Sequence, residues 1–187
     1  MWIAARGGGR PACERVLASD AVSKASAPRV ATIGVHGFTA ETFIAALRRA
    51  GVSALLDVRQ RRGVRGSEYA WANSQRLQAA LAAAAIAYRH LPELAPTTEL
   101  RALQYREDDR VGVGKRSRVE LAAEYRERYG REILDRVDLG EILAGLPPEG
   151  LAALMCVERD PQACHRSLVA DRLAREHGVS IVDIVPG

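Results

Sequence analysis

The sequence predicts an α/β fold in which a mostly parallel sheet of about five strands packs against helices. Three observations carry this prediction. Continuous apolar runs such as SALLDV (residues 53–58) and LAALMCV (residues 151–157) have the composition of strands buried on both faces, as parallel sheets require. These runs alternate with amphipathic segments of helical period. The links between successive runs are long enough for crossover helices, which parallel pairing demands.

Residues 1–28, rich in Gly, Ala, Ser and Arg with a Gly7-Gly8-Gly9 run, have no sustained period and are expected to form a disordered or loosely attached extension. Residues 29–187 are then one domain. Its first strand is RVATIGV (residues 29–35), followed by a tight turn at Gly34-Val35-His36-Gly37. Thr39 is placed to cap a helix over residues 40–50, with Phe43, Ile44 and Leu47 on one face and Gly51 at its end. The second strand stops at Asp57-Val58-Arg59, and the right-handed crossover brings His36, Asp57 and Arg59 to the carboxyl edge of the sheet. Ligands of open α/β sheets bind at that edge. Asn73 or Ser74 caps a helix through residue 85, and a third strand (residues 86–90) ends in His90.

Residues 97–145 read as a helical insert, with helices over 97–106, 117–129 and 132–143 and a polar break at Asp108-Asp109 and Gly112 to Gly114. Leu121, Tyr125 and Tyr129 share a face that is expected to pack on the core. The alternative is a lid with Lys115, Arg116 and Arg118 near its tip. Pro147-Pro148 stops the insert before the fourth strand, residues 151–157, and the last strand, residues 180–185, follows Gly178.

With 187 residues and 48% hydrophobic content the chain can bury a sizeable core. The net charge of +4 comes almost wholly from arginine, Lys24 and Lys115 being the only lysines, and favours an anionic partner, nucleotide or nucleic acid. Three cysteines, an odd number, suit a reducing compartment, so the expected location is cytoplasmic. No apolar run approaches the roughly 18 residues a bilayer span needs, and no signal-peptide pattern opens the chain, so neither membrane nor export is expected.

The reactive side chains concentrate at one corner. Between the fourth strand and the helix expected to start near Ala163 or Cys164 lie Cys156, Glu158, Cys164, His165 and Arg166, joined through a turn at Asp160-Pro161. One reading gives Arg166 and the helix N-terminus to a phosphate, with Glu158 or His165 supplying acid-base chemistry. In it Arg59, Gly34, His36 and His90 complete the substrate-binding set, and Asp57, His36 and His90 are further candidates for proton transfer. A second reading makes Cys164 a nucleophile or redox thiol, since a helix start beside His165 and Arg166 lowers a thiol pKa. A third makes Cys156, Glu158, Cys164 and His165 ligands of a metal such as zinc, although the paired C-x-x-C knuckle is missing. Nearby, Arg59, Arg61, Arg62 and Arg65 precede Tyr69 and Trp71, a pattern for phosphate contacts with base stacking or for a solvated loop.

Together these residues resemble the domain-of-unknown-function family DUF488 over about residues 30–185. The resemblance rests on Thr32-Ile33-Gly34, the Gly37 turn, Leu56-Asp57-Val58-Arg59, Tyr88-Arg89-His90-Leu91-Pro92-Glu93-Leu94, and above all Cys156-Val157-Glu158 followed by Cys164-His165-Arg166. Two departures stand out: Ala95-Pro96 where the family usually has glycine after its Pro-Glu-Leu segment, and the arginine-rich loop in place of a short proline and serine loop. The resemblance implies a Rossmann-like three-layer α/β domain with a shared polar site, and loose labels link such proteins to DNA repair. The expectation is an enzyme acting on a nucleotide or nucleic acid by hydrolysis or transfer. The alternatives are a noncatalytic nucleic-acid-binding module, or a metal or redox site on Cys156 and Cys164.

Overall fold

The computed structural model describes residues 29–64, 66–114 and 117–187. The expected N-terminal extension, Arg65, Lys115 and Arg116 lie outside the described residues. Strands β1 (Arg29–Gly34), β2 (Val52–Asp57), β3 (Ala87–His90), β4 (Leu151–Cys156) and β5 (Ser180–Ile184) form one all-parallel sheet in the order β3-β2-β4-β1-β5. Gly34 pairs with Cys156, and Asp57 with His90 and Met155, so the strands finish at a common carboxyl edge.

Helices α1 (Ala40–Arg49) and α2 (Ser74–Ala83) cover one face; α3 (Thr98–Arg110), α4 (Ala123–Glu132), α5 (Leu139–Ala144) and α6 (His165–His177) cover the other. This is the three-layer, Rossmann-like arrangement. All six residues of β4 are buried, and the strand's period of two divides them between the layers. Leu151, Ala153 and Met155 join Phe43, Leu47 and Leu81 in one core, while Ala152, Leu154 and Cys156 join Val169 and Leu173 in the other. Parity alone therefore puts the Cys156 thiol on the α6 side. Thr39 caps α1 as expected, its side chain accepting from Thr42 N while Thr42 Oγ1 accepts from Thr39 N at 2.9 Å.

The helical insert differs from expectation in three respects, one being that the helix expected over 117–129 begins only at Ala123, as α4, and runs to Glu132. α3 runs through Asp108-Asp109 instead of breaking there. Asp108 is buried, and it accepts from Gln104 Nε2 and Arg118 Nη1, each at 2.8 Å, so the carboxylate is satisfied inside the structure and the helix has no reason to stop. Gln104 Oε1 in turn accepts from Ala122 N at 2.9 Å, and α4 begins immediately after this tie. The expected helix over 132–143 becomes a 3-10 turn, Leu134–Arg136, followed by the short α5 capped by Asp138.

Tyr125 and Tyr129 do pack on the core, stacked with centroids 6.0 Å apart, and the Tyr129 hydroxyl donates to Leu94 O at 2.6 Å. Tyr129→Ala should cost about 3–5 kcal/mol in urea unfolding, from the lost ring volume. Tyr129→Phe, which removes only the hydroxyl and leaves the Leu94 carbonyl unpaired, should cost about 1–2 kcal/mol. A near-neutral Tyr129→Ala would mean that this part of the insert is not anchored and could act as a lid.

Candidate active site

At the carboxyl edge the chain encloses a cleft of about 770 Å3. One wall comes from the segment after β2, with Arg59 and Arg61, and the opposite wall from α3 and the strand-free segment after it, with Arg101, Gln104 and Arg118. Cys156, Glu158, Cys164 and His165 line it from the β4–α6 corner, and His36 from the turn after β1.

The corner is built by two ordinary pieces of backbone logic. β4 ends at Cys156 with its side chain toward α6, and Cys164 is the N-cap residue of that helix, its own N–H donating to Pro161 O at 3.0 Å and its carbonyl accepting from Ser167 Oγ at 2.9 Å. His165, the first residue of α6, then lies beside both sulfurs. Its Nε2 is 3.0 Å from Val58 O, and because a carbonyl can only accept, Nε2 carries the hydrogen. In the neutral ring Nδ1 is therefore the lone-pair nitrogen, and it sits 3.9 Å from Cys156 Sγ and 3.8 Å from Cys164 Sγ. The three atoms lie within 4.8 Å of one another, and all three residues are buried.

The two thiols are driven apart in acidity. The hydrogen bond with Cys164 and burial push Cys156 well above the ordinary thiol value. At Cys164 burial opposes ionisation, but the hydrogen bond from Cys156, the charge of Arg166 and, when its ring is protonated, that of His165 outweigh it and hold the thiol well below that value.

Arg166 does not take the role of an anion ligand expected from its sequence position. It is 1% exposed, absent from the cleft wall, and donates from Nη1 to Glu158 O at 2.7 Å, from Nη2 to Arg159 O at 3.0 Å and from Nε to Thr32 Oγ1 at 3.3 Å. It falls on the inner face of α6, so its guanidinium reaches across the sheet edge to the segment after β4 and not outward. Gly34 serves the same construction. A Cβ there would overlap the Glu158 carbonyl oxygen, so the close approach that glycine permits is made by the protein's own chain and not by a phosphate.

Asp57 and Arg59 are corrected in a similar way. Asp57 is fully buried and accepts four bonds, from Arg59 N at 3.1 Å, Arg59 Nε at 2.8 Å, Arg59 Nη2 at 2.7 Å and the Tyr88 hydroxyl at 2.7 Å. It has no place in the cleft wall and no free acceptor for substrate chemistry. Arg59 reaches the wall, and its Nη1 donates to Ala72 O at 3.0 Å, so three of its five N–H groups are bound within the fold. Burial and the bond to Asp57 push Tyr88 up to about 12. His90 lies outside the cleft, its Nε2 donating to Arg59 O at 2.9 Å, and Arg62 is likewise absent from the wall and near Tyr88. Trp71 is half-buried and packs against Phe43, 5.0 Å between centroids. Arg65 is outside the described residues.

Glu158, His36, Cys164 and His165 do converge. Glu158 holds His36 Nδ1 at 3.7 Å and Arg118 Nη2 at 3.7 Å, ion-pair distances too long for direct hydrogen bonds, so its oxygens retain lone pairs for a substrate. Arg118 is itself fixed by Asp108 and by Ala163 O, to which Nε and Nη2 donate at 3.2 and 3.0 Å. In the sequence Arg118 stood out only as a lid-tip residue, and Arg101 carried no signal at all. Arg101 Nε is buried in this wall without a hydrogen-bond partner among the described residues.

A three-layer parallel α/β domain with a thiol and imidazole corner opening on a carboxyl-edge cleft is the class that fold and site define. The family model described as Domain of unknown function DUF488 matches residues 39–173, most of the chain, and the protein belongs to that family. No curated protein and no solved structure matches it. Among the described residues no helix is long and apolar enough to cross a membrane.

If Arg166 is scaffold, Arg166→Met should lower the unfolding free energy by at least about 3 kcal/mol, because a buried group loses several charge-assisted hydrogen bonds, and phosphate should not restore it. Asp57→Asn should cost about 3–5 kcal/mol by leaving Arg59 buried and unneutralised. Urea titrations with and without phosphate check both. A fully stable Arg166→Met that had lost anion binding would return this residue to the ligand set.

Proposed function

We propose that the protein is an enzyme that acts on a nucleotide or nucleic-acid substrate in this cleft, by hydrolysis or group transfer. The observation that carries the reading is a single cavity of about 770 Å3 with Arg61 and Arg101 on its walls and Glu158, Cys164 and His165 at its buried end. A volume in this range suits a small ligand or one extruded nucleotide better than a flat nucleic-acid footprint. The net charge of +4 favours an anion at long range.

Within this reading, Arg61 and Arg101 take the phosphate-binding role that the sequence assigned to Arg166 and Arg59. The Arg101 guanidinium spends Nη2 on Thr98 Oγ1 at 3.1 Å, while its Nε has a hydrogen still to place. Glu158 is the acid-base group, with His36 as its proton partner and Arg118 holding its position. The Cys156, Cys164 and His165 corner supplies the reacting centre. A noncatalytic binding module would have no use for buried thiols and a buried carboxylate at the end of its groove, and this favours an enzyme.

Calorimetric titration with inorganic phosphate, nucleoside mono- and triphosphates, and short DNA and RNA strands at two salt concentrations tests the reading. Arg61→Ala and Arg101→Ala should each weaken binding about tenfold, roughly 1.4 kcal/mol, with little change in stability. Glu158→Gln should leave binding nearly intact and cut turnover by about 10²–10⁴-fold once a substrate is found. Absence of affinity for every one of these anions would refute it.

A further inference from the structure

We propose that Cys156, Cys164 and His165 hold a divalent metal ion of the zinc class, with its fourth coordination position open to the cleft. The inference rests on the reading that this cleft is the functional site, but not on the identity of the substrate.

The donor atoms are already gathered. His165 Nδ1 lies 3.9 and 3.8 Å from the two sulfurs, and the set spans no more than 4.8 Å. A tetrahedral zinc with bonds of about 2.3 Å to sulfur and about 2.0–2.1 Å to nitrogen places its ligand atoms about 3.6–3.8 Å apart. The nitrogen–sulfur separations already fit, and the two sulfurs, no more than 4.8 Å apart, would draw together by at most about 1 Å around an ion. Nitrogen is also presented in the correct form. The Nε2–H bond to Val58 O fixes the ring and turns the Nδ1 lone pair toward the sulfurs, which is the arrangement by which metal-binding histidines are oriented. All three ligands come from the end of β4 and the start of α6, so no loop must close to complete the site.

The chemistry of the set selects the metal. Two sulfurs and an imidazole suit zinc and related soft or borderline ions, and disfavour magnesium or calcium, which take oxygen. Two thiolates cancel the ion's charge, which makes it tolerable in a buried position. Three protein ligands rather than four is the pattern of a catalytic centre, in which water or substrate takes the open position. All three residues line the cleft, as does Glu158 two positions beyond Cys156, so the open position faces the space where an anion would bind. There the ion would polarise a phosphate oxygen or a bound water.

The full chain, purified without added metal or chelator, should carry about one zinc-class ion per molecule by mass spectrometry of the elements. Cys156→Ser, Cys164→Ser and His165→Gln should each lose most of it, and Cys13→Ser should keep it. Because such variants could fail to fold, the same question is put to the wild type. Reduced, metal-stripped protein titrated with Co2+ should take up one equivalent and develop sulfur-to-cobalt charge-transfer absorption with the intensity of a tetrahedral site. Substoichiometric metal together with no such absorption from folded, reduced protein would overturn the inference, leaving the corner a dithiol and imidazole site. Metal without affinity for phosphate or nucleotides upholds the inference and refutes the proposed substrate class, whereas nucleotide affinity in a protein that takes up neither zinc nor cobalt does the reverse.

Discussion

The position of everything in the cleft depends on buried arginines that bind the protein's own chain. Arg166 ties α6 to the carbonyls of Glu158 and Arg159 and to Thr32, so the strand end that carries Glu158 and the helix start that carries Cys164 and His165 cannot move independently. Arg59, locked to Asp57 and to Ala72 O, does the same for the segment after β2, which presents the Val58 carbonyl to His165. Buried guanidinium groups are costly unless their nitrogens find acceptors, and here backbone carbonyls, the Asp57 carboxylate and the Thr32 hydroxyl supply them. Rigidity of this kind is what a site needs when it must hold a side-chain tautomer and a set of sulfur positions to within a fraction of an ångström.

The dependence runs outward from there. With His165 fixed through Nε2, the lone pair on Nδ1 has one direction, toward two thiols. With Arg118 held by Asp108 and Ala163, Glu158 keeps a cationic neighbour without being capped by it. The helical insert contributes through Gln104 and Asp108, whose bonds to Ala122 and Arg118 connect α3 to the cleft wall. A change in the insert is thereby felt at the site.

Much of this was legible in the sequence because sheet parity and crossover length are local rules. The continuous apolar run LAALMC announced a strand buried on both faces, the strand, helix and strand spacing set the parallel edge, and Thr39 announced the α1 cap. What the sequence could not reveal is which way an arginine points. Arg166 and Arg59 sit in the right segments for an anion site, but their guanidinium groups turn inward, a choice decided by carbonyls 8 and 13 residues away, a carboxylate two residues back and the distant Thr32 hydroxyl, which only the folded turns bring within reach. Asp108 misled for the complementary reason. An Asp-Asp pair reads as a helix break until one carboxylate is seen to be buried against Gln104 and Arg118. Arg101, in a helix with polar residues on most sides, gave no local sign of facing a cavity.

The corner presents His165 Nδ1, as a lone-pair donor, to Cys156 and Cys164 at the buried end of the cleft. Long-range proton–nitrogen correlation spectroscopy on the 15N-labelled protein reads this directly, with His165→Gln to assign the ring. The expected result is a hydrogen on Nε2 and none on Nδ1, the latter either free or bound to an ion. A ring with its hydrogen on Nδ1 and an unprotonated Nε2 would contradict it, since the Val58 carbonyl could not then hold the imidazole and neither sulfur would face a lone pair.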